Sequence, residues 1–207
     1  MNDTRLDAVL FDFGGVFADE GFAEGLKAIA RDLRRDEHEI WQAGLNAVWD
    51  SGYVTGRADE AAFWRLFKER TGLEGDENRW REDIFRLFAV RPFMRDMVER
   101  MRERGLITAI LSDQTDWLAR LDARQDFFRH FHKVYNSYDH GMSKKEPAYF
   151  LKALGDLGVA PERALFIDDN PGNVERARAL GMNAILYEDR ESFERELEPY
   201  CPGVLAG

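Results

Sequence analysis

Three acids, a serine and a lysine each stand just beyond an apolar run in this chain of 207 residues. Asp12 follows VLF, Ser112 follows LITAIL, and Asp168-Asp169 follows ALFI. Lys144 lies in GMSKKEP, after the weaker run KVY. One polar residue past an apolar run is ordinary, but this combination forms a coherent inventory. Carboxylates gathered in one pocket repel unless a cation lies between them, and hard oxygen donors at this density favour Mg2+. A lysine and a hydroxyl supply donors for an anion held by the same ion. Phosphoryl transfer requires an in-line nucleophile and neutralised phosphoryl oxygens. A carboxylate can be that nucleophile, giving an acyl phosphate that water then opens. The competing reading is a set of helix caps and surface ion pairs. It accounts for Asn170 and Asp113, and poorly for an acid pair directly after a buried strand.

For these residues to meet, the apolar runs must lie side by side. Leu6–Phe11, Leu106–Leu111, Lys133–Tyr135, Ala164–Ile167 and Asn183–Tyr187 read as strands, and unbroken apolar runs of this length suit a parallel sheet buried on both faces. Helical stretches separate them: Phe93–Arg104, Glu146–Leu157, and Pro171–Leu180 with Asn170 as N-cap and Pro171 at the first turn. Strand and helix in alternation predict a doubly wound α/β sheet whose ligands bind beyond the carboxyl ends of the strands. Residues 22–87 differ. They contain no strand-like run, and their apolar residues recur at helical spacing, as in Ile40, Trp41, Leu45 and Val48. Three or four amphipathic helices are expected there, packed as a small bundle. Four of the five tryptophans fall in this stretch. Most should fill its core, and a minority should line a cavity.

The bulk numbers exclude several classes. A formal charge of −10 disfavours nucleic acid, which wants a basic patch. It also repels anions at long range, so a phosphate site would need strong local cations. No apolar run approaches a membrane span. The short polar start, Met1 to Arg5, does not read as a signal peptide. The lone cysteine, Cys201, has no pairing partner, and the expectation is a cytoplasmic protein. His130, His132 and His140 lack ligand spacing and read as surface or loop residues rather than a zinc site.

VLFDFGGVF, ILSDQT, GMSKKEPAYF and ALFIDDNPGNVERARALGM resemble the four motifs of the haloacid-dehalogenase-like superfamily, in that family's order. The resemblance covers residues 6–16 and about 92–190 and is most specific in the last motif. It implies a Rossmann-like parallel sheet core, residues 1–17 and 91–207, with an α-helical cap, residues 18–90, inserted after the first motif. It also implies an Mg2+-dependent phosphatase acting on a small phosphorylated metabolite. Asp12 would be nucleophile and metal ligand, and the Gly14 carbonyl a second ligand. Asp169 would coordinate directly, with Asp168 binding through water or orienting ligands. Ser112, Asp113 and Lys144 would bind substrate, with Ser112 and Lys144 also serving catalysis. Lys144 is the expected lysine, although Lys145 stands where the family often has proline. Asn173 would support the last loop.

One position departs from the pattern. Phosphatases of this family usually carry an aspartate two residues after the nucleophile, as general acid and base, and here that residue is Gly14. Such catalysis is typically worth about 10²–10⁴-fold, so a good leaving group, as in a sugar 1-phosphate or acyl phosphate, would suffer less. Asp19, Glu20 and Asp113 are the nearby acids that could substitute, each also readable as a surface acid or cap. Family dehalogenases lack that aspartate too, because halide leaves without a proton, but they need no Mg2+ and usually lack the paired acids. A 2-haloacid dehalogenase is therefore the second reading, and a catalytically silent binding protein the third. A receiver domain would place its acid pair after the first strand and its lysine last, the reverse of the order here. A dinucleotide-binding domain would need a GxGxxG turn, which FGGVF does not provide.

Overall fold

The computed structural model describes residues 6–205, so Met1 to Arg5 lie outside it. Five strands form one sheet: β1 (Ala8–Phe11), β2 (Ile107–Ser112), β3 (Lys133–Asn136), β4 (Ala164–Asp168) and β5 (Asn183–Leu186). Their order is β3-β2-β1-β4-β5, and every pairing is parallel. The expected strands are all present. Ser112 and Asp168 close their strands instead of following them, because parallel neighbours extend the ladder one residue: Ser112 pairs with Asn136 and Asp168 with Leu186. Phe11 is level with Ile110 on one side and Ile167 on the other. Asp12, Ser112 and Asp168 thus emerge at the same edge of the sheet.

Successive strand residues face opposite sides, and both sides are covered. Ala8, Leu10, Ala109, Leu111, Phe166 and Ala184 belong to one apolar cluster, against α8 (Pro147–Leu157) and α9 (Pro171–Ala179). Val9, Phe11, Ile110, Leu165, Ile167 and Ile185 belong to the other, against α5 (Pro92–Glu103), α6 (Trp117–Gln125) and α10 (Arg190–Leu197). Burying each large apolar side chain contributes about 1.5–3 kcal/mol, and two-sided burial is why these strands read as continuous apolar runs. A short helix, α7 (Ser137–His140), follows β3.

Four helices lie between β1 and α5, in the stretch where three or four were expected: α1 (Gly21–Asp32), α2 (Glu37–Asp50), α3 (Glu60–Thr71) and α4 (Glu77–Leu87). Asp36, Asp59 and Asp76 cap the last three by accepting backbone N–H bonds from Glu39, Ala62 and Asn78. Phe63, Trp64, Phe67, Trp80 and Ile84 are buried among them. This apolar cluster does not end at the sheet. Trp117 of α6 packs on Phe85, Phe63 and Trp64 of the insert, with ring centroids 5.3 to 6.1 Å apart. The insert leaves and rejoins the sheet through adjacent backbone, where Asp19 N–H donates to Ala89 O and Arg91 N–H to Phe17 O.

Candidate active site

Asp12 sits at the exit of the central strand and is almost fully buried. Its Oδ1 accepts hydrogen bonds from Ser112 Oγ at 2.7 Å and from Phe13 N–H at 2.7 Å. Its Oδ2 pairs with Lys144 Nζ at 2.8 Å, and the same Nζ lies 2.6 Å from Asp168 Oδ2. Lys144 is 1 % exposed. Burial alone would lower its pKa, but Asp12, Asp168 and Asp113 around it raise the value above the usual lysine range. The ammonium is therefore fixed as a cation between two carboxylates. Lys145, the neighbouring candidate, is exposed and does not join this cluster. Its Nζ lies 3.4 Å from the centroid of the Trp49 ring.

Asp168 accepts three further hydrogen bonds from two residues. Asn170 N–H donates to Oδ1 at 2.7 Å, and Asn173 Nδ2 reaches Oδ1 and Oδ2 at 3.1 and 3.0 Å. Arg176 continues the network, donating to Asn173 Oδ1 at 2.6 Å and to the Lys144 carbonyl at 2.7 Å. Asp113 accepts from the Lys144 backbone N–H at 2.9 Å, and burial pushes its pKa up to about 6. Asp169 opens onto the cavity. Burial and the neighbouring charges of Asp12, Asp168 and Glu20 push it up to about 7. Asp12, Asp168 and Asp169 each offer an oxygen within 4.8 Å of the others. Lys144 supplies one positive charge to this group, which leaves a surplus of negative charge on hard oxygen donors.

Asp12, Asp113, Lys144, Asp169, Asn173 and Arg176 line one face of a cavity of about 500 Å³. Leu45, Asn46 and Trp49 of α2 line it from the insert side, so one of the four insert tryptophans faces the cavity while Trp64 and Trp80 are core. Two residues of the loop after β1 also shape the site, Gly15, which the sequence does not single out, and Glu20, one of the three acids named above as candidates for the missing general acid. Gly15 has φ +79°, and a β-carbon there would overlap the Asp169 carboxylate. Glu20 lines the cavity beside Gly14. His130 corrects another expectation. It is buried, not at the surface, and its Nδ1 lies 2.8 Å from Glu99 Oε1. His132 Nδ1 accepts from Thr108 N–H at 3.0 Å, tying β2 to the approach to β3, while His130 is tied to α5.

The family model for haloacid dehalogenase-like hydrolases matches residues 6–181. The chain belongs to that family. This haloacid dehalogenase-like hydrolase is 32% identical over 211 residues to a phosphoserine phosphatase of Thermus thermophilus, covering 89% of the chain and 85% of that protein. Its fold is similar to that of a HAD family enzyme from Bacteroides thetaiotaomicron, with a TM-score of 0.74 and 22% identity over 93% of this chain and 98% of that one. That enzyme has also been solved in complex with magnesium and inorganic phosphate, in a structure that matches this hydrolase with a TM-score of 0.66. An L-2-haloacid dehalogenase from Xanthobacter autotrophicus shares the fold as well, with a TM-score of 0.64 and 22% identity over 97% of this chain and 86% of that one.

Proposed function

We propose that the protein is an Mg2+-dependent phosphatase that hydrolyses a small phosphorylated metabolite through a phosphorylated Asp12. The observation that carries the reading is the buried Lys144 ammonium bonded to both Asp12 and Asp168, with Asp169 completing a cluster of three carboxylates. A dehalogenase, whose leaving halide needs neither proton nor metal, has no use for that surplus of acids. The phosphatase named among the relatives and the magnesium and phosphate complex of the fold neighbour support the same choice.

The donor set suits Mg2+, which prefers a few carboxylate oxygens and keeps several waters. Asp12, Asp169 and the Gly14 carbonyl would hold it, with Asp168 orienting the group. When bound, Mg2+ would supply charge neutralisation for the phosphoryl oxygens. The chain's own residues do the rest. Phe13 N–H and Ser112 Oγ fix the Asp12 carboxylate through Oδ1, and Lys144 neutralises it and the incoming phosphate. Asn173 and Asn170 hold Asp168 against Lys144, so the ammonium cannot drift. Residues 18–90 would act as a cap, with Asn46, Trp49 and Leu45 selecting the organic part of the substrate and excluding water.

A panel of small phosphate esters and 2-haloacids, each with Mg2+ and with chelator, tests this. Phosphate release that requires Mg2+ and disappears in Asp12→Asn is expected. Halide release indifferent to chelator would replace the reading with a dehalogenase.

A further inference from the structure

Gly14 borders the cavity next to Asp12 but has no side chain to send into it. A β-carbon at position 14 would stand 2.8 Å from Glu20 Oε2 and 3.8 Å from the Glu20 carboxyl carbon. The volume into which a longer residue at 14 would grow already holds a carboxylate, delivered from the start of α1. That carboxylate is anchored. Glu20 is the N-cap of α1, and its Oε1 accepts the Ala23 N–H at 3.0 Å while Oε2 faces position 14. The Phe88 ring closes the other side, 3.4 Å from the same β-carbon position.

The other acids near the motifs do not share this placement. Asp19 has a side chain 56% exposed and paired with Arg91 at 3.0 Å, and it does not line the cavity. Asp113 lines the cavity, with Oδ1 accepting the Lys144 backbone N–H, but none of its atoms is among those nearest to the position-14 β-carbon. Glu20 alone combines a seat beside Asp12 with the space left by the glycine.

We propose that Glu20 is the general acid and base of the reaction, in place of the acid absent at position 14; this role rests on the phosphatase reading above. In the first half-reaction an Asp12 oxygen bonds to phosphorus and the bond from phosphorus to the ester oxygen breaks. Its electron pair stays on that oxygen, which takes the Glu20 proton and leaves as the alcohol. In the second, a water oxygen bonds to phosphorus and its proton passes to the Glu20 carboxylate. The bond between phosphorus and Asp12 breaks, its electron pair returns to Asp12, and inorganic phosphate departs with Glu20 protonated again. A side chain at position 14 would oblige the Glu20 carboxylate to shift, so glycine there leaves that carboxylate its place.

The test uses Glu20→Gln, which keeps the Oε1 acceptor that caps α1. Two probes are compared under saturating Mg2+: p-nitrophenyl phosphate, whose leaving group departs without a proton, and a primary alkyl phosphate, whose leaving group needs one. On the alkyl ester kcat/KM should fall by about 10²–10⁴-fold. On the aryl ester kcat/KM should be largely spared while kcat falls, and acid quench should trap phosphorylated Asp12. Equal losses on both esters, or none on either, would overturn the role of Glu20 and leave that of Asp12 intact. A wild-type protein releasing no phosphate that depends on Asp12 would overturn the phosphatase reading and this role together. A second pair guards against a misfolded glutamine variant. Glu20→Ala should lose alkyl turnover, and Gly14→Asp in that background should recover part of it by using the vacated volume. No recovery would again overturn the role.

Discussion

Removing the Lys144 ammonium would leave Asp12 and Asp168 buried and facing each other without a cation. Breaking a buried pair in this way costs about 3–5 kcal/mol. Lys144→Ala should therefore lower the unfolding free energy by that amount, measured by denaturant titration, and remove activity. Lys145→Ala loses only a contact with the Trp49 ring and should stay within about 1 kcal/mol of wild type. Asp169 gives a pH signature. In the cation-free protein, burial and its acidic neighbours push it up to about 7, above the unfolded value near 4. Its contribution to stability is thus present at low pH and is lost as pH rises through about 7. Binding a cation expels that proton, so Mg2+ affinity should climb with pH and level off above about 7. Calorimetric titration in buffers of different ionisation enthalpy should detect proton release below that value and almost none a unit above it. Gly15→Ala should weaken the same affinity without altering Asp12, because a β-carbon there displaces the Asp169 carboxylate. Asp12, Ser112, Lys144 and the acid pair could be picked out in the sequence, because their residue types and their places after apolar runs are themselves the signal. Gly15 could not, and Glu20 could be named only as one of three nearby acids with nothing to choose between them. Their importance comes from how one loop folds back on itself, and residue type carries no trace of that.

Among the elements, the strands were legible because a parallel sheet covered on both sides leaves unbroken apolar runs. Their ends were off by a residue at Ser112 and Asp168, since the hydrogen-bonding partner in the next strand decides where pairing stops. The insert helices were legible from apolar spacing, but their seat on the core was not. That seat depends on Trp117, which sequence position assigns to the core and which lies among insert aromatics. It depends also on polar ties. Arg120 and Arg124 of α6 reach Glu60 of α3 and Glu82 of α4 at 2.7 and 2.8 Å, and Ser137 Oγ donates to Val54 O at 2.6 Å. Gly56 lies at a close approach to α7, with φ +64° and the Tyr138 carbonyl against its open side. Gly56→Ala should push the insert away from α7, lowering the melting temperature and raising KM more than it lowers kcat.

Across the whole molecule, the apolar cluster that covers one side of the sheet runs without interruption into the insert. Swinging the insert away as a rigid lid would expose Trp117 and its aromatic neighbours to water, so access to the cavity should depend on α2 and its flanking turns. Hydrogen exchange should accordingly be faster at α2 than at α3. The net charge of −10 opposes the approach of a phosphate dianion. At fixed saturating Mg2+, kcat/KM should rise by about twofold to threefold as added salt screens that repulsion. The two ends of the insert meet in a small backbone clasp, where Asp19 bonds to Ala89, Arg91 bonds to Phe17, and Ala18 bridges Gly14 and Val90. A polypeptide of almost any length can be threaded between two anchor points that close together without altering the distance the sheet must span. Grafting a foreign segment between those anchors should yield a chimera that still folds and still gathers its acids around Lys144, but that has surrendered Glu20 and with it the capacity to cleave esters of poor leaving groups.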